Sequence, residues 1–109
     1  MNPILYLAQR GTAFILAFAV TVHLATIIYA VRTNLTAGEI LGRTHGNKGF
    51  LAFYLVFVAA AAVHAPIGLR AVLREWMKWR DRSLDIAMIG FSALLLFLGV
   101  RAALAVYLA

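Results

Sequence analysis

The chain has 109 residues, of which 64% are hydrophobic and 13% are charged, and its formal net charge is +6. This composition excludes an ordinary water-soluble globular protein and indicates a membrane protein. Because the chain contains no cysteine, it cannot itself ligate an iron–sulfur cluster or form a disulfide. The positive charge is interpreted as a signal of membrane orientation, so we expect no nucleic-acid partner.

Three apolar segments follow one another along the chain, namely Gly11–Val31, Gly49–Leu69 and approximately 86–109. Each has the length of about 20 apolar residues that a transmembrane helix requires. The first two contain no charged residue, and the third contains only Arg101. We therefore predict an all-α membrane protein with three transmembrane helices in a single domain, residues 1–109.

The first segment is too long for the apolar part of a secretion signal, about 7–15 residues, and we expect it to remain in the mature protein. Basic residues outside the spans are distributed unevenly between the two sides of the membrane. Six lie on one side (Arg10, Arg70, Arg74, Lys78, Arg80 and Arg82), and three lie on the other (Arg32, Arg43 and Lys48). Because basic residues favour the cytoplasmic side, we predict a cytoplasmic N-terminus and an external C-terminus.

Two histidines, His23 and His64, lie inside uncharged apolar segments. An imidazole at membrane depth is a functional candidate by default, and haem iron is the partner that we expect. Small residues Ala60, Ala61 and Gly68 lie one helical turn from His64, and they would leave a groove for a flat macrocycle. Alternatively, small residues allow close helix packing, and the histidines form hydrogen bonds between helices.

Pro66 follows His64 by two residues and has no backbone N–H. It leaves the carbonyl of Ala62 without its partner within the helix. We expect this carbonyl either to accept a different hydrogen bond or to lie at a bend. His45 lies in a polar, glycine-containing segment and is expected to be a solvated loop residue.

The two membrane histidines are expected at different depths. Counted from the cytoplasmic ends of their helices, His23 lies about 18 Å deep and His64 about 7–8 Å deep, at 1.5 Å per residue. A difference of about 10 Å places them poorly for one shared iron. Two haems at two depths would use both histidines, and the remaining ligands would come from another subunit because the third segment has no histidine.

The run His64-Ala65-Pro66-Ile67-Gly68-Leu69-Arg70 resembles a motif of the cytochrome b membrane anchors of succinate dehydrogenase and fumarate reductase. In that family the motif reads His-x-x-x-Gly-Ile/Leu-Arg, and its histidine is an axial ligand of haem b. The run 9–13 is similar to the family's Arg-x-Ser/Thr-Gly run, near the quinone and the haem propionates. The resemblance implies that Arg10, Arg70, Thr12 and Tyr6 lie near a propionate or a quinone.

Three positions depart from the family pattern. Ala13 replaces a glycine, Gln9 stands where some members have histidine, and Tyr6 stands where some members have a quinone-binding serine. The quinone residues are therefore less well supported by the resemblance than the haem ligand.

The resemblance also implies a set of partners and cofactors. This chain would form a larger helical bundle with a second membrane anchor subunit, beside an iron–sulfur subunit and a flavoprotein subunit in a bacterial inner membrane. The bundle would share one or two haem b groups, with two favoured, and would use quinone as substrate. FAD and iron–sulfur clusters would lie on the partner subunits, and segment 70–85 would face the iron–sulfur subunit or lie along the lipid surface.

Two other interpretations remain open. The chain could be a small non-redox membrane subunit, for transport or assembly, whose histidines serve packing. It could also be an anchor of the same kind that binds quinone without haem.

Overall fold

A computed structural model describes residues 2–109 and contains four helices. They are α1 (Pro3–Arg32), α2 (Ala37–Thr44), α3 (Lys48–Trp76) and α4 (Arg82–Leu108). Helices α1, α3 and α4 are long and apolar enough to cross a membrane. The prediction of an all-α, multi-pass membrane protein is confirmed.

The helices extend beyond the predicted spans. Helix α1 begins at Pro3, where Asn2 caps it by accepting a hydrogen bond from the Ile4 N–H at 2.8 Å. Helix α3 continues through the basic segment to Trp76, so only residues 77–81 connect it to α4. The length of the apolar spans therefore reflects the thickness of the hydrocarbon layer, whereas capping residues determine where the helices begin and end.

A short helix that the sequence analysis did not predict, α2, interrupts the connection between α1 and α3. Its N-terminus has a capping box, in which the Thr36 hydroxyl accepts from the Glu39 N–H at 3.1 Å and Glu39 reaches back to Thr36. His45 ends this helix and is exposed, as expected for a solvated residue.

The N-terminus of α4 is capped by Asp81. Hydrogen bonds from the Ser83 hydroxyl and the Trp79 indole N–H hold the pKa of this exposed carboxyl below its ordinary value of 3.8. The negative charge of Asp81 also interacts favourably with the positive end of the helix dipole. The cap therefore fixes where α4 begins.

Helix α3 lies in the centre and packs against both α1 and α4, with each neighbour antiparallel to it. The buried residues are mostly small: Ala19, Ala60, Ala62 and Ala103, with Thr44, Pro66, Leu84 and Met88. Small side chains let helix backbones approach closely, which is a common basis of helix association in membranes. Many of the large apolar side chains are exposed on this chain, and others are half-buried.

Two contacts fix α4 against α3. The hydroxyl of Ser92 donates to the Ala62 carbonyl at 2.6 Å, which is the carbonyl that Pro66 deprives of its helical partner. The expected alternative hydrogen bond is thus present. Further along, Gly99 lies so close to Val58 that an added Cβ would be 2.5 Å from the Cγ1 atom.

Candidate functional site

The candidate site lies in the interface between α1 and α3. On α3, Tyr54, Phe57, Ala61, His64 and Gly68 follow a spacing of three and four residues, so they share one face of the helix. Residues of this face meet α1 at both ends of the interface. The interface therefore contains both membrane histidines, one from each helix.

His64 contacts the first half of α1. Its Nδ1 atom is 3.3 Å from the Thr12 hydroxyl oxygen. The same hydroxyl donates to the Ala8 carbonyl at 2.7 Å, with the Gln9 carbonyl at 3.2 Å. The imidazole is partly buried, and its Nε2 atom has no hydrogen bond within residues 2–109.

The three small residues predicted to form a groove beside His64 lie in different surroundings. Ala60 is buried in the helix packing. A Cβ on Gly68 would lie 3.2 Å from the Gln9 Nε2 atom, so α1 closely approaches this glycine. Ala61 lines an open cavity further along α3. Ala60 and Gly68 thus serve helix packing within this chain, and a groove role for the three residues stays a prediction.

His23 contacts the other half of α3. Its Nδ1 atom is 3.2 Å from the Tyr54 hydroxyl, and its ring meets the rings of Tyr54 and Phe57 edge-on at centroid distances of 5.7 and 5.5 Å. His23 also lines a cavity of about 590 Å³ between the long helices and α2. Apart from His23, Thr44 and Tyr54, the residues that line this cavity are apolar.

The two histidines lie in separate layers of the interface. Thr12, which marks the layer of His64, precedes His23 by 11 residues of α1, which corresponds to about 16 Å along the helix. On α3, His64 and Tyr54 are 10 residues apart, or about 15 Å. This separation agrees in sense with the depth difference expected from the sequence and is somewhat larger.

The predicted residues Arg70, Arg10 and Tyr6 form two separate contacts and no single cluster. Arg70 forms an ion pair with Asp85, with an Nε–Oδ1 distance of 2.8 Å, and lines a polar cavity of about 570 Å³ with Arg74, Glu75 and Arg80 among its other residues. Arg10 lies over the ring of Tyr6, 5.9 Å from its centroid, and both side chains are exposed. Arg10 and Tyr6 therefore form their own pair on the surface of α1.

Two polar residues of this interface were not predicted from the sequence as site residues. Tyr54 is the partner of His23. The Gln9 Oε1 atom is the one buried side-chain nitrogen or oxygen without a hydrogen-bond partner in residues 2–109. The sequence contained a signal for Gln9, because Gln9 lies three residues before Thr12 and therefore on the same face of the helix. Tyr54 gave no such signal, since its pairing depends on how far the helices slide past each other.

Arg101 is exposed on α4 and borders an apolar surface that includes Phe97 and Leu104. This position agrees with a side chain that reaches toward the membrane surface while its stem lies on apolar neighbours. Arg101 is not among the residues that line the cavity beside His23.

The interface offers two ring nitrogens that could serve as ligands of haem iron. Each histidine keeps its Nε2 atom out of hydrogen bonds within the chain, and neither Nε2 is an enclosed unpaired atom in residues 2–109. Each can therefore offer one axial ligand, whereas the distance between layers prevents both from binding one iron. The described residues contain no group of three metal-ligating side chains. A haem held by either histidine would therefore need its second ligand from another chain.

No family model, curated protein or solved structure matches this chain. Its function must therefore be argued from its own residues and from the motif resemblance described above.

Proposed function

We propose that this protein is a haem b-binding membrane anchor of a succinate:quinone oxidoreductase. The observation that carries this proposal is the pair of membrane histidines in separate layers, each with Nδ1 engaged within the chain and Nε2 unengaged. The motif around His64 supports the choice of family. The cavity beside His23 has the volume typical of ligand sites, about 300–1,000 Å³, and supports a second haem.

In this proposal His64 and His23 would each hold a haem b, and a second membrane anchor subunit would supply the opposite ligands. Haem b would supply one-electron transfer between the dehydrogenase subunits and quinone. The residues of this chain would set the haem environment by ligand identity, burial and nearby charge. Oxidation of succinate, or reduction of fumarate, would occur on the flavoprotein, so this chain would not catalyse it alone.

A quinone would bind near the N-terminal end of α1 and the end of α3. The unpaired Gln9 oxygen is an acceptor, so the hydroxyl group of a quinol, the reduced form of a quinone, would donate to it and remove the cost of about 1–3 kcal/mol for a buried unpaired acceptor. In this region Thr12 of α1 faces α3, and Arg70 lies on α3 itself. Arg10 and Tyr6 lie on the exposed side of α1. A quinone or propionate contact to Arg10 or Tyr6 would therefore come from outside the α1–α3 interface.

The orientation proposed is a cytoplasmic N-terminus and an external C-terminus in a bacterial inner membrane. The basic residues at the end of α3 and in the following connection support it. That end of the molecule would face the iron–sulfur subunit, which carries electrons from the flavoprotein. The exposed apolar faces of the long helices would contact lipid and the second anchor subunit.

The test is a reduced-minus-oxidised optical spectrum of the complex purified through a tag on this chain, with haem and flavin quantified in the same sample. We expect a b-type spectrum, bound flavin and succinate–quinone activity. A complex with that activity but without haem would leave the anchor role and overturn haem binding. A purified chain with neither haem nor flavoprotein would overturn the proposal.

A second candidate function is favoured by one specific observation. Both histidines bond to a hydroxyl on the neighbouring helix, as polar residues that join membrane helices do. In that case the chain is a non-redox membrane subunit, and the same spectrum would show no haem.

A further inference from the structure

We propose that Thr12 is a positioning residue that holds the imidazole of His64 in the Nδ1–H tautomer, so that Nε2 carries the lone pair. The tautomer follows from the contacts of this chain. Its use, presentation of Nε2 to haem iron, rests on the function proposed above.

The argument begins with the single hydroxyl hydrogen of Thr12. That hydrogen can be donated to the Ala8 carbonyl at 2.7 Å or directed to His64 Nδ1 at 3.3 Å. The shorter contact is the stronger hydrogen bond. The hydroxyl therefore donates to Ala8 and has only its lone pairs left for the imidazole.

The second step concerns the imidazole. A neutral histidine has one N–H donor and one acceptor nitrogen. Since the Thr12 oxygen offers lone pairs, Nδ1 carries the hydrogen and donates it. The opposite assignment would remove the bond to Ala8 and leave an Nε2–H group without a partner in residues 2–109.

The consequence is an arrangement that suits a metal ligand, because Thr12 accepts from the ring nitrogen that faces away from the metal. A ligating histidine usually donates its other ring N–H to a fixed acceptor, which sets the tautomer and raises the basicity of the ligating nitrogen. His23 differs in this respect. The Tyr54 hydroxyl has no other hydrogen bond within the described residues, so it can donate to the His23 ring or accept from it and imposes neither tautomer.

The experiment uses the full chain in lipid nanodiscs without added haem, labelled with ¹⁵N on the histidine rings. The chain has three histidines, so single His→Gln variants assign each signal. At alkaline pH, where imidazoles are neutral, we expect His64 to show a protonated Nδ1 and an unprotonated Nε2. His45, which is exposed, should show the Nε2–H form that a free imidazole prefers.

Two variants of matched size test the role of the hydroxyl. Thr12→Ser keeps it and should keep the Nδ1–H form. Thr12→Val replaces it with a methyl group and should lower the Nδ1–H to Nε2–H ratio of His64 roughly threefold to tenfold, the effect of one lost hydrogen bond. A wild-type His64 protonated on Nε2, or a ratio that Thr12→Val does not change, would overturn the proposal.

A second measurement separates this inference from the proposed function. In the purified complex, Thr12→Val should move the midpoint potential of one haem in the positive direction, because a less basic ligand stabilises the oxidised iron less. Thr12→Ser should leave the potential near the wild-type value. If the ring-nitrogen result holds and no haem is found, the positioning role stands and the haem function fails. If haem is bound and the tautomer is unaffected by Thr12→Val, the positioning role fails alone.

Discussion

Pro66 and Ser92 form a compensating pair across the α3–α4 interface. Ser92→Ala should leave the Ala62 carbonyl without a donor and destabilise the chain by about 0.6–1.7 kcal/mol, the range for polar contacts between membrane helices. In a Pro66→Ala background the backbone N–H at position 66 can reach the Ala62 carbonyl, so the same substitution should have a smaller effect. Unfolding of the four variants in mixed micelles measures this coupling, and equal effects in both backgrounds would contradict it.

The two membrane histidines should have separable roles in the assembled complex. The proposed function predicts that His23→Ala and His64→Ala each reduce the haem-to-flavin ratio from about two to about one, because each removes a different axial ligand. His45→Ala is the control, since this exposed residue lies in a connection outside the long helices. An unchanged haem-to-flavin ratio in His23→Ala would mean that His23 serves only to pack against Tyr54.

At the level of helices, α4 contains two glycines with opposite surroundings. Gly99 lies against Val58, whereas an added Cβ at Gly90 would meet no atom within 4 Å. We expect Gly99→Ala to destabilise the packing of α4 on α3 by about 1–3 kcal/mol through overpacking. Gly90→Ala is the matched control and should be neutral or slightly stabilising, since alanine favours helix.

The measurement for this pair is unfolding in micelles, followed by far-UV circular dichroism. Adding Val58→Ala to Gly99→Ala should recover much of the lost stability, because the β-branched side chain is the atom group in conflict. Equal stability of the two single glycine variants would contradict the close approach.

The three long helices could be predicted from the sequence because their apolar length is set by the bilayer. Their ends could not, since the segment from Arg70 to Trp76 continues α3 with charged residues that an apolar window rejects. Helix α2 was missed for a related reason, because it is short and lies between apolar spans. Its capping pair, Thr36 and Glu39, was present in the sequence as a local signal.

The candidate site was predictable only in part. His23 and His64 were singled out because an imidazole is expensive in an apolar span, and their separation followed from residue counts. Their partners were not predicted, since Thr12 and Tyr54 become neighbours of the histidines only when α1 and α3 adopt one particular register. The sequence predicts how far along its helix a residue lies. Which residues become partners also depends on how the two helices rotate and slide relative to each other.

For the molecule as a whole, the proposed orientation can be tested with single cysteines because the chain has none. Met77→Cys lies in the exposed connection after α3, and Gly42→Cys lies in α2 with open space around its Cβ position. A membrane-impermeant thiol reagent should label position 42 in spheroplasts and position 77 only in inverted vesicles. The reverse pattern would place the basic connection outside.

The hydrogen bonds of His64 and His23 also have a mechanical consequence for assembly. Small residues allow α1 and α3 to pack closely, and polar pairs across the interface add contacts that depend on the register of the two helices. The pairs with Thr12 and Tyr54 lie about three turns apart, at 3.6 residues per turn, and a slip of one turn would break both at once. The two contacts between imidazole and hydroxyl therefore favour a single register of α1 on α3, and they require no cofactor or partner to do so.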